Sequence, residues 1–149
     1  MGPVHRLTVR VRYTESDPMG RLHHSAFPVY FELGRTELMR DRGLAYASME
    51  AAGRFIAIAR IECRFLAAAR YDDLLVVETS VREVRGARVV FANRVLRAGP
   101  DGETPVAEGT VTGALVDVAG RPRRFSPEET ALLTGGPAGH YNPPAAGTP

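Results

Sequence analysis

An α+β fold, with one long helix lying on an antiparallel sheet, follows from three features of the sequence. Apolar residues between Ser25 and Arg42 recur at helical spacing, as Phe27, Phe31, Gly34 and Leu38, with Tyr30 and Leu33 widening the stripe. Most of the rest of the chain alternates apolar and polar residues with period two. The order is one strand, one long helix, then four or more strands joined by short turns, which suits antiparallel pairing better than a β-α-β alternation. The helix stripe covers more than half its circumference, and periodicity alone gives no more than a helix on a sheet.

The first strand runs over residues 5–13, with Leu7, Val9, Val11 and Tyr13 alternating against Thr8, Arg10 and Arg12. Pro18-Met19-Gly20 then marks a turn, proline fixing φ and glycine free to take φ > 0. The long helix starts near Ser25, an N-cap candidate, and Pro28 falls in its first turn where a missing N–H is harmless. Gly34 in mid-helix costs about 1 kcal/mol against alanine, so close packing on the sheet is its expected reason. Arg40 to Arg42 end the helix before Gly43. A short helix is expected over 45–52 and a long strand over 55–65. Strands over 73–85 and 88–98 flank a tight hairpin at Gly86-Ala87, and a fifth runs from Val106 to Val116. Within it, Gly109 and Gly113 predict a bend or a close approach over the helix. A short edge strand is expected at 123–125. Ser126-Pro127-Glu128-Glu129 has the form of an N-cap, a proline at the first position and an acidic first turn. Residues 1–134 make one domain, and the Gly, Pro and Ala of 135–149 predict a flexible tail.

Composition narrows the chemistry. The chain has 149 residues, a net charge of +2 and 44% hydrophobic content, which suits one domain with one core. No apolar run approaches the ~20 residues that span a bilayer, and His5, Arg6 and Arg10 interrupt any signal-peptide core. A cytoplasmic location is the expectation. Cys63, the single cysteine, forbids an intrachain disulfide and is expected to be a buried, inert thiol. All 19 basic residues are arginine, so Schiff-base chemistry and a Walker-type phosphate loop are excluded. The sequence pI near 9.0 favours an anionic ligand, but no basic stripe interleaved with aromatics points to nucleic acid.

The stretch from Tyr13 to His24 carries the strongest candidate chemistry. It places Asp17 on a stiff turn opposite the positive end of the helix dipole. Asp17 is then either a reactive carboxylate or simply a turn former. The pattern Tyr13-x3-Asp17-x2-Gly20-x3-His24, followed by Phe27, Tyr30-Phe31-Glu32 and Gly34-Arg35, resembles the hotdog-fold acyl-CoA thioesterases. The 4-hydroxybenzoyl-CoA thioesterase-like branch, with the short-chain acyl-CoA thioesterases of the bacterial Tol–Pal region, is the most similar. A second block, Phe65-Leu66-Ala67-Ala68-Ala69-Arg70-Tyr71-Asp72-Asp73 through Thr79, resembles the same family, and the likeness covers roughly residues 5–125.

The resemblance implies a curled antiparallel sheet wrapped around one long central helix. It also implies hydrolysis of an acyl- or aroyl-CoA thioester to free acid and CoA. Asp17 would be nucleophile or general base, the amide of His24 would polarise the carbonyl, and Tyr13 would orient Asp17. Gly20, His23, Phe27 and Tyr30 are expected to bind substrate, with Phe27, Tyr30, Phe55 and Ile58 lining an apolar pocket. Arg85 and Arg88, flanking the hairpin, would meet the CoA phosphates. Glu32 matches a catalytic glutamate of another hotdog branch, but Asp17 makes it redundant. No metal is expected from His23, His24 and Asp17, and no cofactor, since CoA belongs to the substrate. The expected partners are acyl-CoA or an acyl carrier protein, with no nucleic acid and no membrane. A homodimer is expected as the minimal unit and a homotetramer as the assembly. An enoyl-thioester hydratase and a non-catalytic acyl-thioester binding module are the competing readings.

Overall fold

The computed structural model describes residues 2–135 and 143–144, so most of the expected tail lies outside the described residues. Eight elements follow in order: β1 (His5–Arg10), α1 (Ala26–Asp41), α2 (Tyr46–Ala51), β2 (Phe55–Phe65), β3 (Leu74–Arg85), β4 (Arg88–Gly99), β5 (Gly102–Val116) and α3 (Pro127–Leu133). The strands form one antiparallel sheet in the order β1-β3-β4-β5-β2. Leu75, Val77 and Val81 of β3, Phe91 of β4, and Val111 and Leu115 of β5 share one face with Phe31, Leu38 and Met39 of α1, all essentially inaccessible. Burying each such side chain contributes about 1.5–3 kcal/mol.

The expected sheet wrapped around a single long central helix is not what the chain forms. β1 and β2 stand at opposite edges of an open sheet and do not pair with each other. α1 has 16 residues and shares the molecule with two shorter helices. It rests mainly on β3 and β1, and its far side faces outward, with Val29 at 46% and Leu33 at 40% exposure. The broad apolar stripe misled because only part of it is covered within one chain: Phe27, Tyr30, Phe31 and Leu38 are buried, and Leu33 is not.

Close approach fixes how α1 sits. A Cβ at Gly34 would stand 2.2 Å from Thr79 Oγ1 and 2.9 Å from Val77 Cγ1, so the helix backbone lies directly on β3. At Gly109 a Cβ would meet the carbonyl of Glu62 at 2.0 Å and Phe31 at 3.0 Å. Three register shifts, at Ile58/Arg60, Val81/Glu83 and Val95/Leu96, interrupt the ladders and bend them locally.

β1 ends at Arg10, short of Tyr13, because Arg12 caps a turn of 3-10 helix over Tyr13–Glu15. Residues 123–125 form no strand; Pro122 makes an isolated bridge to Val116. α3 begins as its sequence indicates: Ser126 Oγ accepts from Glu129 N–H at 3.0 Å, and the Glu129 carboxylate accepts from Ser126 N–H at 2.7 Å. The same carboxylate, fully buried, takes two bonds from Arg54 at 2.6 and 2.7 Å, tying α3 to the start of β2. Among the described residues no helix is long and apolar enough to cross a membrane.

Candidate functional site

Between the end of β1 and the start of α1 the chain folds back on itself. Asp17 N–H donates to Arg21 O at 2.7 Å, Gly20 N–H donates to Asp17 O at 2.9 Å, and Gly20 takes φ of +76°. A bridge joins Ser16 to Leu22, and His23 N–H closes the base of the loop on Glu15 O at 2.7 Å. Leu22 N–H reaches Ala69 O at 2.8 Å, and Arg21 bridges to Arg70, so the loop is docked on the segment leading into β3.

Asp17 is partly a turn former. Its Oδ1 accepts from the N–H groups of Met19 at 2.9 Å and Arg21 at 3.1 Å. Its second oxygen has no partner among the described residues. Asp17 also lines a cleft of about 380 Å³ with Arg21, Leu22, His24, Phe27, Phe65 and Ala67 to Ala69. Of the expected residues, Asp17, His24 and Phe27 therefore come together. One wall is aromatic: Phe27 and Phe65 meet edge to face with centroids 5.4 Å apart, and the His24 ring stands 6.4 Å from Phe65.

His23 and Ser25 start the helix in an unexpected way. Ser25 is already helical and gives no side-chain cap; instead its N–H donates to His23 Nδ1 at 3.2 Å, and its hydroxyl lies 2.8 Å from the same nitrogen. The His24 ring stacks on His23 at 4.1 Å. The His24 N–H has no acceptor among the described residues. An unpaired amide at the N-terminus of a 16-residue helix is a donor for a negatively charged oxygen.

The other expected residues stand elsewhere. Tyr13 is 79% exposed and packs edge-on against Tyr71 at 5.2 Å. Gly20 supplies the left-handed turn and does not line the cleft. Tyr30 is buried, and its hydroxyl donates to the carboxylate of Glu15. Burial first, then the bond to Glu15, raises the Tyr30 phenol above its ordinary range. Phe55, Ile58 and Glu32 are not in the cleft wall. Arg85 and Arg88 face each other across the hairpin. Arg88 lies 3.6 Å from Glu83 and lines a separate polar hollow of about 450 Å³ with Arg60, Glu62, Arg82 and Thr110. Among the described residues no three His, Cys, Asp or Glu side chains gather as metal ligands. Burial raises the half-buried Cys63 thiol above its usual range, which makes it a poor nucleophile.

Periodicity missed Phe65, Leu22 and the three alanines as cleft residues. The alanine run was the available signal, since small side chains leave room beside an apolar wall.

The chain has counterparts among known proteins. Residues 11–133 match the family model described as the thioesterase-like superfamily. The acyl-CoA thioesterase YbgC of Haemophilus influenzae is 32% identical over 111 residues, covering 74% of this chain and 79% of that one. A putative acyl-CoA thioesterase of Bacillus subtilis, YneP, is 30% identical over 103 residues, 69% of this chain and 73% of its own. Among solved structures, a probable thioesterase from Bartonella henselae superposes with a TM-score of 0.76 at 29% identity, covering 83% of this chain and all of that one.

Proposed function

The chain belongs to the thioesterase-like superfamily, and on that premise we propose that its reaction centre is the cleft between Asp17 and His24. The protein is a thioester hydrolase of the acyl-CoA type, and an acyl- or aroyl-CoA is its proposed substrate. The observation that supports the placement is one juxtaposition: Asp17, whose carboxylate has a free oxygen, His24, whose helix-start amide is unpaired, and the apolar wall of Phe27 and Phe65 line one cleft. The acyl group lies along Phe27 and Phe65, and the thioester carbonyl oxygen points at the His24 N–H. Asp17 then either attacks the carbonyl carbon or removes a proton from a water that attacks it. Charge moves to the carbonyl oxygen, where one well-aimed donor contributes about 2.7 to 4 kcal/mol. On the water route the C–S bond breaks, the CoA sulfur takes up the proton that Asp17 removed, and the acyl carbon keeps the oxygen of water as a free acid. On the direct route the C–S bond breaks to leave a mixed anhydride on Asp17, and the sulfur takes up a proton from water. A second attack by water then splits the anhydride to free acid and the restored carboxylate.

Arg85 and Arg88 are proposed as contacts for the CoA phosphates; for Arg88, a phosphate has to compete with Glu83. The substrate panel tests the function itself. Purified protein is incubated with acetyl-, hexanoyl-, palmitoyl- and benzoyl-CoA, and with an enoyl-CoA, in the presence of a thiol-detecting dye. Release of free thiol from at least one ester is expected. Loss of enoyl absorbance without thiol release would replace hydrolase by hydratase, and binding without reaction would leave a binding module.

A further inference from the structure

We propose that Glu15, two residues before Asp17, is a positioning residue for this centre: its carboxylate, shared between Arg12 and Tyr30, sets where Asp17 stands relative to the His24 amide. The proposal rests on the roles given above to those two groups. Three residues converge on Glu15. Its Oε1 accepts from Arg12 Nε at 2.6 Å and from Arg12 N–H at 3.2 Å. Its Oε2 accepts from the Tyr30 hydroxyl, and its backbone carbonyl accepts from His23 N–H at 2.7 Å. One residue thus grips the chain leaving β1, the second turn of α1 and the residue just before His24. The loop over residues 16–22 is closed at this grip, with Asp17 at one end and His24 just past the other. A shift at Glu15 therefore moves the two reacting groups relative to each other.

The chemistry of the clamp argues for more than filling space. The Tyr30 ring is 3% exposed and packs edge-on against Phe27 of the cleft wall at 6.3 Å. A phenylalanine would fill that volume, but a buried tyrosine hydroxyl requires a partner. Glu15, its side chain 11% exposed, answers with a charge, although another carboxylate stands two residues away. Burial pushes the Glu15 carboxyl up, but the hydrogen bonds from Tyr30 and Arg12 together outweigh it and hold the group below the usual carboxylate range. Tyr30 moves the opposite way. Near neutral pH the acceptor stays ionised and the donor stays protonated, so the clamp holds while the substrate chemistry proceeds.

The test uses the full chain with Tyr30→Phe, Glu15→Gln, Glu15→Ala and the double variant Glu15→Ala/Tyr30→Phe, each checked by thermal midpoint. Misplacement of a reacting group by about 1 Å costs up to roughly 100-fold. Tyr30→Phe is therefore expected to lower kcat by about 10- to 100-fold with KM changed by less than about threefold. Glu15→Gln, which still accepts from Tyr30, should lose less than Glu15→Ala, and the double variant should be no worse than Glu15→Ala alone. Independently of activity, Tyr30→Phe should shift the amide NMR signals of His23 and His24 and speed exchange at His23, leaving the β3–β4 amides unchanged. Near-wild-type kcat in Tyr30→Phe and Glu15→Gln, alongside an inactive Asp17→Asn, would overturn the clamp and leave the reaction centre standing. Losses that merely follow the thermal midpoint would overturn it too. If the wild type hydrolyses no thioester, the reaction centre fails instead, and unchanged His23 and His24 signals in Tyr30→Phe would still refute the clamp.

Discussion

Gly34 illustrates how one position couples the helix to the sheet beneath it. Alanine there gains roughly 1 kcal/mol of helix propensity. Its methyl, however, would overlap Thr79 Oγ1, and Thr79 is β-branched and held by a 3.1 Å bond to Asn93 Oδ1, so it cannot simply swing aside. Overpacking of this kind costs about 1–3 kcal/mol. Contacts of 2.2 and 2.9 Å fall in the upper part of that range, so Gly34→Ala should lower stability by about 1–2 kcal/mol net, read as a lower urea midpoint at unchanged slope. A variant as stable as the wild type would mean that α1 is free to lift from β3. Gly34 was legible because a glycine amid helical periodicity has few other reasons to be there. Asp17 and His24 were singled out by the family motif their spacing resembles, and both line one cleft. Glu15–Tyr30 and Arg54–Glu129 were not: the pairs lie 15 and 75 residues apart in sequence, and no local pattern announces a side chain's distant partner.

At the level of elements, alternation located the strands within a few residues, since period two survives wherever one face is buried. It could not reveal the bulges, which depend on the neighbouring strand. Nor could it reveal how much of α1 the sheet covers, because amphipathicity says that a face is buried and not by how many strands. β2 carries the consequence. It pairs with β5 on one side only. Ile58, Ile61 and Phe65 remain 40%, 45% and 55% exposed. A long apolar edge strand of this kind is a liability unless it is paired. We therefore predict a dimer formed through β2 of two copies, the outward residues of α1 leaving room for further association. Sedimentation equilibrium at low micromolar concentration should give twice the chain mass for the wild type and the single chain mass for Ile61→Glu. A wild-type monomer would contradict the pairing.

For the whole molecule, the fold and the site meet where α1 begins. The docking of α1 on β3 places its first turn beside the loop of Asp17, and the Phe65 end of β2 supplies the facing wall. Every part of the proposed chemistry depends on that meeting, and on Asp17 being more than the turn former its Oδ1 contacts describe. Asp17→Asn separates the two, because an asparagine Oδ1 still accepts from Met19 and Arg21 while the negative charge is gone. The decisive measurement is the turnover of this variant on the best acyl-CoA, set beside its affinity for a non-hydrolysable CoA thioether. Loss of one proton-transfer role is worth typically 10²- to 10⁴-fold, so a fall in kcat of about that size with binding and thermal midpoint retained is the expected result. Turnover close to wild type would show that the carboxylate only holds the loop, and would contradict the account at its centre.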